Sequence, residues 1–98
     1  MLTENRSAFL TALRSGEFTQ IVGEWLSNDR PKCCCAGGVA INLSGSAQEM
    51  GVSRSGSEIV MSFLNVDEHF VVELICMNDE GKTFGQIADW VEGKWADG

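Results

Sequence analysis

The side chains with the most chemistry available to them in this sequence are four cysteines and one histidine: Cys33, Cys34, Cys35, Cys76 and His69. A tetrahedral zinc ion takes ligands in pairs separated by two to four residues. Three consecutive thiols offer no such pair, because neighbours point about 100° apart on a helix and to opposite faces on a strand. Cys76 and His69 have no second spaced pair, so no metal and no cofactor is expected. Buried cysteines acting as small hydrophobes are the favoured reading. A nucleophilic thiolate needs a base beside it, and the only histidine lies far along the chain from the cysteine triplet. The scattered carboxylates assemble no convergent acid–base set either, so the chain is not expected to be an enzyme. Adjacent cysteines argue against a secreted disulfide framework and for a reducing, cytoplasmic setting.

A second group of candidates is built on hydroxyls and bases. Ser53, Arg54, Ser55 and Ser57 place small hydroxyls around one arginine, a set suited to phosphate and base-edge hydrogen bonds at a helix N-terminus. Arg54 is the only base between Lys32 and Lys82, so a positive patch in the middle of the chain would join it to Arg30 and Lys32. The alternative for Arg54 is a solvated loop arginine. The segment GGVAINLSG lacks the spaced glycines and following lysine of a phosphate loop, and its bland reading is close helix packing.

Charge divides the chain. Of its formal net charge of −7, none lies in residues 1–48, where four bases meet four acids, and all lies in residues 49–98. An acidic surface gains no counterion release on a polyphosphate, so non-specific nucleic-acid coating is not expected, while a local patch is still open to a specific contact. With 98 residues, 44% hydrophobic and 21% charged, the chain reads as one globular domain over residues 1–98. The first ten residues lack a basic start and an apolar run, and no stretch approaches a bilayer span, so neither a leader nor a membrane partner is expected.

Periodicity supplies the elements that must position these residues. Thr3 or Asn5 caps a first helix that runs to about Ser15 and stops at Gly16. Residues 18–26 read as helix, with strand as the alternative because of Thr19, Gly23 and the β-branched pair Ile21 and Val22. SNDRPK is a turn around Pro31. Residues 34–43 suit a short helix packed closely at Gly37 and Gly38. Residues 44–57 are a loop or one short helix, and residues 58–64 a helix closed by Asn65. Asp67 caps a helix whose apolar residues leave only a narrow polar strip with His69 and Glu73, an exposed ion pair worth about 0.3–0.5 kcal/mol. Gly81 ends that helix, and Thr83 with Gln86 forms a capping box for the next. Phe84, Ile87, Ala88, Val91 and Trp95 then make one apolar stripe. Trp90 lies beside the stripe, as a core flank or as an anchor for a partner's groove. The expected fold is all-α: a small multi-helical domain closing on a helical hairpin.

ELICMNDEGKTFGQIADWVE resembles the closing segment of a group of small phage and prophage-like proteins that carry a stretch like LNDxGKSFxEIAxxIE. FLTALRSGEFTQ and CCAGGVA extend the likeness, the latter resembling a CCLGV-type motif but with Ala36-Gly37 where leucine is usual. The group brings no activity with it. Two segments also resemble helix-turn-helix modules: NDEGKTFGQIADWV, which looks like a first connection without a third helix, and AQEMGVSRSGSEIV. In the latter, Ala47, Gly51, Val52 and Ser53 stand at the turn spacing and residues 54–60 would be the reading helix. This second resemblance implies a non-catalytic nucleic-acid-binding accessory or regulatory module using Arg30, Lys32, Ser53, Arg54, Ser55 and Ser57. The alternative is an acidic protein-interaction adaptor whose hairpin acids Asp79, Glu80, Asp89 and Glu92 engage a basic partner. Three tryptophans in so small a domain make self-association a further expectation.

Overall fold

The computed structural model describes residues 3–27, 29–30 and 32–96, and its first helix begins and ends where its caps dictate. In α1 (Glu4–Ser15) the Thr3 hydroxyl accepts the Arg6 amide at 3.2 Å, and Gly16 closes the helix at φ +82°, a left-handed conformation that glycine adopts without a Cβ penalty. Phe9, Leu10, Ala12 and Leu13 turn inward.

The helix expected over residues 18–26 does not form. Residues Thr19–Gln20 are a short strand, β1, which pairs in parallel with β2 (Cys33–Cys34) in the register Thr19 to Cys33 and Gln20 to Cys34. Leu26 bridges the same Cys34 in the antiparallel sense, and the Ile21 amide reaches the Cys34 carbonyl at 3.0 Å. The fold is therefore mostly helical but not all-α. The β-branched residues disfavour helix locally, and a partner edge more than ten residues away completes the preference for strand. Gly23, at φ +89°, turns the chain between these two pairings. In the turn that follows, the Cys33 amide donates to the Arg30 carbonyl at 2.8 Å, while Asn28 and Pro31 of the expected SNDRPK turn lie outside the described residues.

The short apolar helix α2 (Ala36–Ser44) is the axis of the molecule. It packs against α1, α3 (Gly56–Leu64) and α4 (Glu68–Asp79), and its residues from Ala36 to Ile41 are all buried. Trp25 explains the glycines. A Cβ on Gly37 or on Gly56 of α3 would run into the Trp25 indole, and one on Gly38 into the Trp25 carbonyl. The three glycines thus form the seat on which Trp25 lies between two helices.

A single 3-10 turn, Ala47–Glu49, stands between α2 and α3. α3 starts at Gly56, two residues later than the reading helix expected from Arg54. Its cap is Ser55, whose hydroxyl accepts the Glu58 amide while the Glu58 carboxylate accepts the Ser55 amide. Asn65 ends it at φ +56°. The last carbonyls of α3 are taken by α1: Arg6 Nε donates to Leu64 O at 2.9 Å, Arg6 Nη2 to Asn65 O at 2.8 Å, and Asn5 Nδ2 to Phe63 O at 3.0 Å. Such partners satisfy the acceptors that every helix end leaves open.

The carboxyl-terminal pair folds as its punctuation predicts. Asp67 accepts the Phe70 amide at the start of α4, Gly81 turns at φ +93°, and Thr83 and Gln86 cap α5 (Phe84–Ala96) reciprocally at 3.2 and 2.9 Å. All five residues of the Phe84 to Trp95 stripe are buried. Trp95 stacks on Phe70 of α4 at 5.6 Å, meets Phe9 of α1 at 6.2 Å and carries the Arg6 guanidinium at 4.8 Å. Helix α4 corrects one expectation. It buries a single face, Val71, Leu74, Met77 and Asn78, and leaves Val72 and Cys76 exposed beside His69. The expected His69–Glu73 pair is present at 3.2 Å.

Candidate functional site

Asn78 is the one buried polar side chain among the described residues, 1% exposed. Its carboxamide joins three elements. Nδ2 donates to the Ile21 carbonyl at 2.8 Å, and Oδ1 accepts from Gln20 Nε2 at 2.9 Å and from the Ala36 amide at 3.2 Å. Gln20 reaches onward to the Lys82 carbonyl at 2.6 Å. One side chain on the inward face of α4 therefore fixes the end of β1 and the first amide of α2.

Next to Asn78 the same region of the fold opens to solvent in a cleft of about 180 Å³. Trp25 and Ile75 supply apolar walls, Cys35 lies at its base, and Glu24 and Asp79 stand on its rim. Val22, next to Gly23 in sequence, and Val72, one turn before Ile75 on α4, are 58% and 47% exposed. Among the described residues neither rim carboxylate makes an ion pair: the acids held by bases are Asp89 and Glu92, both on Arg14 at 2.9 and 3.1 Å, Glu17 on Lys32, and Glu73 on His69. The hairpin acids expected to act as one face are thus divided, with Asp89 and Glu92 sharing Arg14 of α1 and Asp79 left at the cleft.

The thiols at this centre are held as thiols. Burial pushes the Cys34 thiol up to about 12, with the neighbouring Cys35 and Cys33 adding to the shift. Burial also raises Cys35; the amides of Gly38, Gly37 and Cys35 itself oppose the shift, and Asp79 adds to it. A thiol that stays protonated at neutral pH is a poor nucleophile. Cys76 is exposed on α4, and among the described residues no three His, Cys, Asp or Glu side chains gather as a metal set.

The residues singled out in the sequence fall into separate surroundings. Lys32 pairs with Glu17 at 4.0 Å and lies 5.9 Å from the Phe18 ring centroid, and Arg30 is exposed in the turn before β2. Arg54 lies before α3 and borders a hollow with Asn5, Ser44, Ser46 and Ser62, none of which surrounds Lys32. Ser55 is engaged as the α3 cap, Ser53 is exposed in the preceding turn, and Ser57 is half-buried in the first turn of α3.

The chain matches no family model, no curated protein and no solved structure.

In the sequence no role was assigned to Asn78 and the cleft was not foreseen; only Gly81 marked the end of that helix. The signal was present: Asn78 follows Val71 and Leu74 at helical spacing, so it sits on the apolar face where a polar side chain needs partners. Nothing local revealed which partners those are.

Proposed function

We propose that this protein is a non-catalytic interaction adaptor whose Trp25–Ile75 cleft receives a basic segment of a partner protein through an apolar anchor. The observation that carries this reading is the pairing of half-buried apolar walls, Trp25 and Ile75, with two carboxylates that make no ion pair among the described residues, Glu24 and Asp79, at one opening. An apolar side chain entering the cleft would bury Trp25 and Ile75, and flanking lysines or arginines would meet the rim. A chain of net charge −7 draws such a segment in and repels acidic competitors. The walls are preorganised, because Trp25 is seated on Gly37, Gly38 and Gly56, and Asn78 ties the surrounding elements together.

The second reading, a helix-turn-helix-like nucleic-acid accessory module, is carried by Arg54 with Ser53 and Ser55 in front of α3. Affinity for a polyphosphate grows with the number of phosphates neutralised. Most bases of this chain already have partners: Arg6 holds carbonyls of α3, Arg14 two acids, Lys32 Glu17, and Lys94 the Trp90 ring. This favours the adaptor.

Titration with two model peptides of equal length, one alternating leucine with lysine and the other leucine with glutamate, tests the proposal. The lysine peptide is expected to bind with a change in tryptophan fluorescence. Glu24→Gln with Asp79→Asn should weaken it about fivefold, in keeping with up to about 1 kcal/mol for exposed charge pairs. Equal binding of both peptides, or affinity unmoved by the double substitution, overturns the proposal.

A further inference from the structure

The hollow beside Arg54 has a composition unlike the rest of this acidic surface. It encloses about 250 Å³ where the first turn of α1, the end of α2 and the body of α3 meet. Its polar lining is Asn5, Ser44, Ser46, Ser62 and Arg54 over an apolar floor of Ile59 and Phe63, with no carboxylate among them. The cleft at Cys35, by contrast, carries two acids.

The hydrogen-bonding capacity of these groups is largely uncommitted. Arg54 makes one long bond, from Nη2 to the Glu58 carbonyl at 3.4 Å, and a guanidinium has five N–H donors in a planar fork. Asn5 gives one of its two amide hydrogens to Phe63 O. Ser44 donates to the Ile41 carbonyl and accepts the Ser46 amide, which orients it at the rim. Among the described residues the hydroxyls of Ser46 and Ser62 are engaged in no hydrogen bond. Donors thus converge from α1, α3 and the loop after α2, around one cation.

We propose that this hollow binds the phosphate group of a small phosphorylated molecule. A phosphate presents oxygens in several directions and accepts bidentate bonds from arginine, which matches one guanidinium fork opposed by hydroxyl and amide donors. A nucleic-acid backbone fits less well, because it needs several cations in a row and the nearest bases in sequence, Arg30 and Lys32, lie in other surroundings. At about 250 Å³ the hollow has room for a phosphate group, and its opening to solvent leaves the rest of a phosphorylated molecule outside. The inference uses none of the residues of the Cys35 cleft, so either can fail alone.

The test is a titration of the isotope-labelled protein followed by NMR, using inorganic phosphate, adenosine monophosphate, and sodium chloride at matched ionic strength. The side-chain Nε–H of Arg54 and the amides of Ser46 and Ser62 are expected to shift saturably with both phosphate ligands and not with chloride. Tighter binding of the monophosphate than of inorganic phosphate identifies a phosphorylated small molecule as the ligand; equal binding confines the site to the free ion and overturns that part of the proposal. Arg54→Gln should weaken binding at least tenfold and Arg54→Lys less, while Arg30→Gln leaves it unchanged. Ser62→Ala, an exposed position that does not threaten the fold, should weaken it severalfold. Shifts that persist in Arg54→Gln, or that chloride reproduces, overturn the site. A single-stranded oligonucleotide that binds more tightly than the monophosphate and loses affinity equally in Arg54→Gln and Arg30→Gln assigns the surface to nucleic acid instead.

Discussion

Asn78 shows how much can depend on one side chain of the right hydrogen-bonding type. Its amide supplies a donor to Ile21 O and an acceptor to the Ala36 amide at once, which no carboxylate or hydrocarbon can reproduce. Asn78→Ala strands these partners out of water and should cost at least about 2 kcal/mol in urea denaturation. Asn78→Asp keeps the acceptor but buries a charge and faces the Ile21 carbonyl with a second acceptor. Its loss should exceed that of alanine at pH 7. Because burial raises the aspartate's folded-state pKa, the loss should shrink as pH falls towards the ordinary carboxyl range, and a pH-independent penalty would show that charge is not the cause. Cys34 sets the opposite limit of the pH scale. Its thiol titrates near 12 when folded and near 9 when unfolded, so its contribution is complete below pH 9 and is lost as pH rises from 9 towards 12. Stability measured by denaturation should fall across that window by up to about 1.4 kcal/mol per pH unit from this residue, and Cys34→Ala should flatten the slope.

At the scale of elements, the glycines divide into those that accommodate a neighbour and those that do not. Alanine normally favours a helix over glycine by about 1 kcal/mol. In α5, a Cβ added at Gly93 would meet nothing from another element within 4 Å, so Gly93→Ala should raise stability by up to that amount. In α2 and α3, Gly37→Ala and Gly56→Ala meet the Trp25 indole and should lower it by about 1–3 kcal/mol despite the same local gain. Thermal melts of the three variants decide the matter: a stabilised Gly37→Ala would mean that Trp25 does not rest on α2. Most of the helix ends were legible in the sequence, at Thr3, Gly16, Asn65, Asp67, Gly81 and the Thr83–Gln86 pair, because capping acts between residues a few positions apart. The strand pairing of β1 with β2 was not, since each is two residues long and neither has a period to read. Local sequence also exaggerated the burial of α4: Val72 and Cys76 are apolar enough to suggest it, but among the described residues no element packs over them.

The charge distribution belongs to the molecule as a whole. Its dimensions, 35 × 26 × 22 Å, are similar to the Debye length of about 30 Å at 0.01 M salt and far larger than the roughly 8 Å at 0.15 M. At low salt the excess acids therefore repel one another across the entire domain. The melting temperature should rise as sodium chloride is raised from about 0.01 to about 0.15 M, the reverse of what a fold held by surface ion pairs would do. A fall over that range would mean that the Arg14 bridges to Asp89 and Glu92 outweigh the general repulsion. Among the described residues no helix is long and apolar enough to cross a membrane.

Short-range physics made several features readable in the sequence: most helix ends of α1, α4 and α5, the end of α3 at Asn65, which face of α5 is apolar, the His69–Glu73 pair, and the sign of the net charge. Tertiary structure alone decided that Trp25 lies on three glycines, that Asn78 ties β1 to α2, that Asp89 and Glu92 belong to Arg14, and that Arg54 borders one hollow with Ser44, Ser46 and Ser62. Each of these contacts joins residues separated by at least eight positions, and in most cases by far more. A side chain's type announces that it needs a partner, but only the packing of the helices around α2 selects which one.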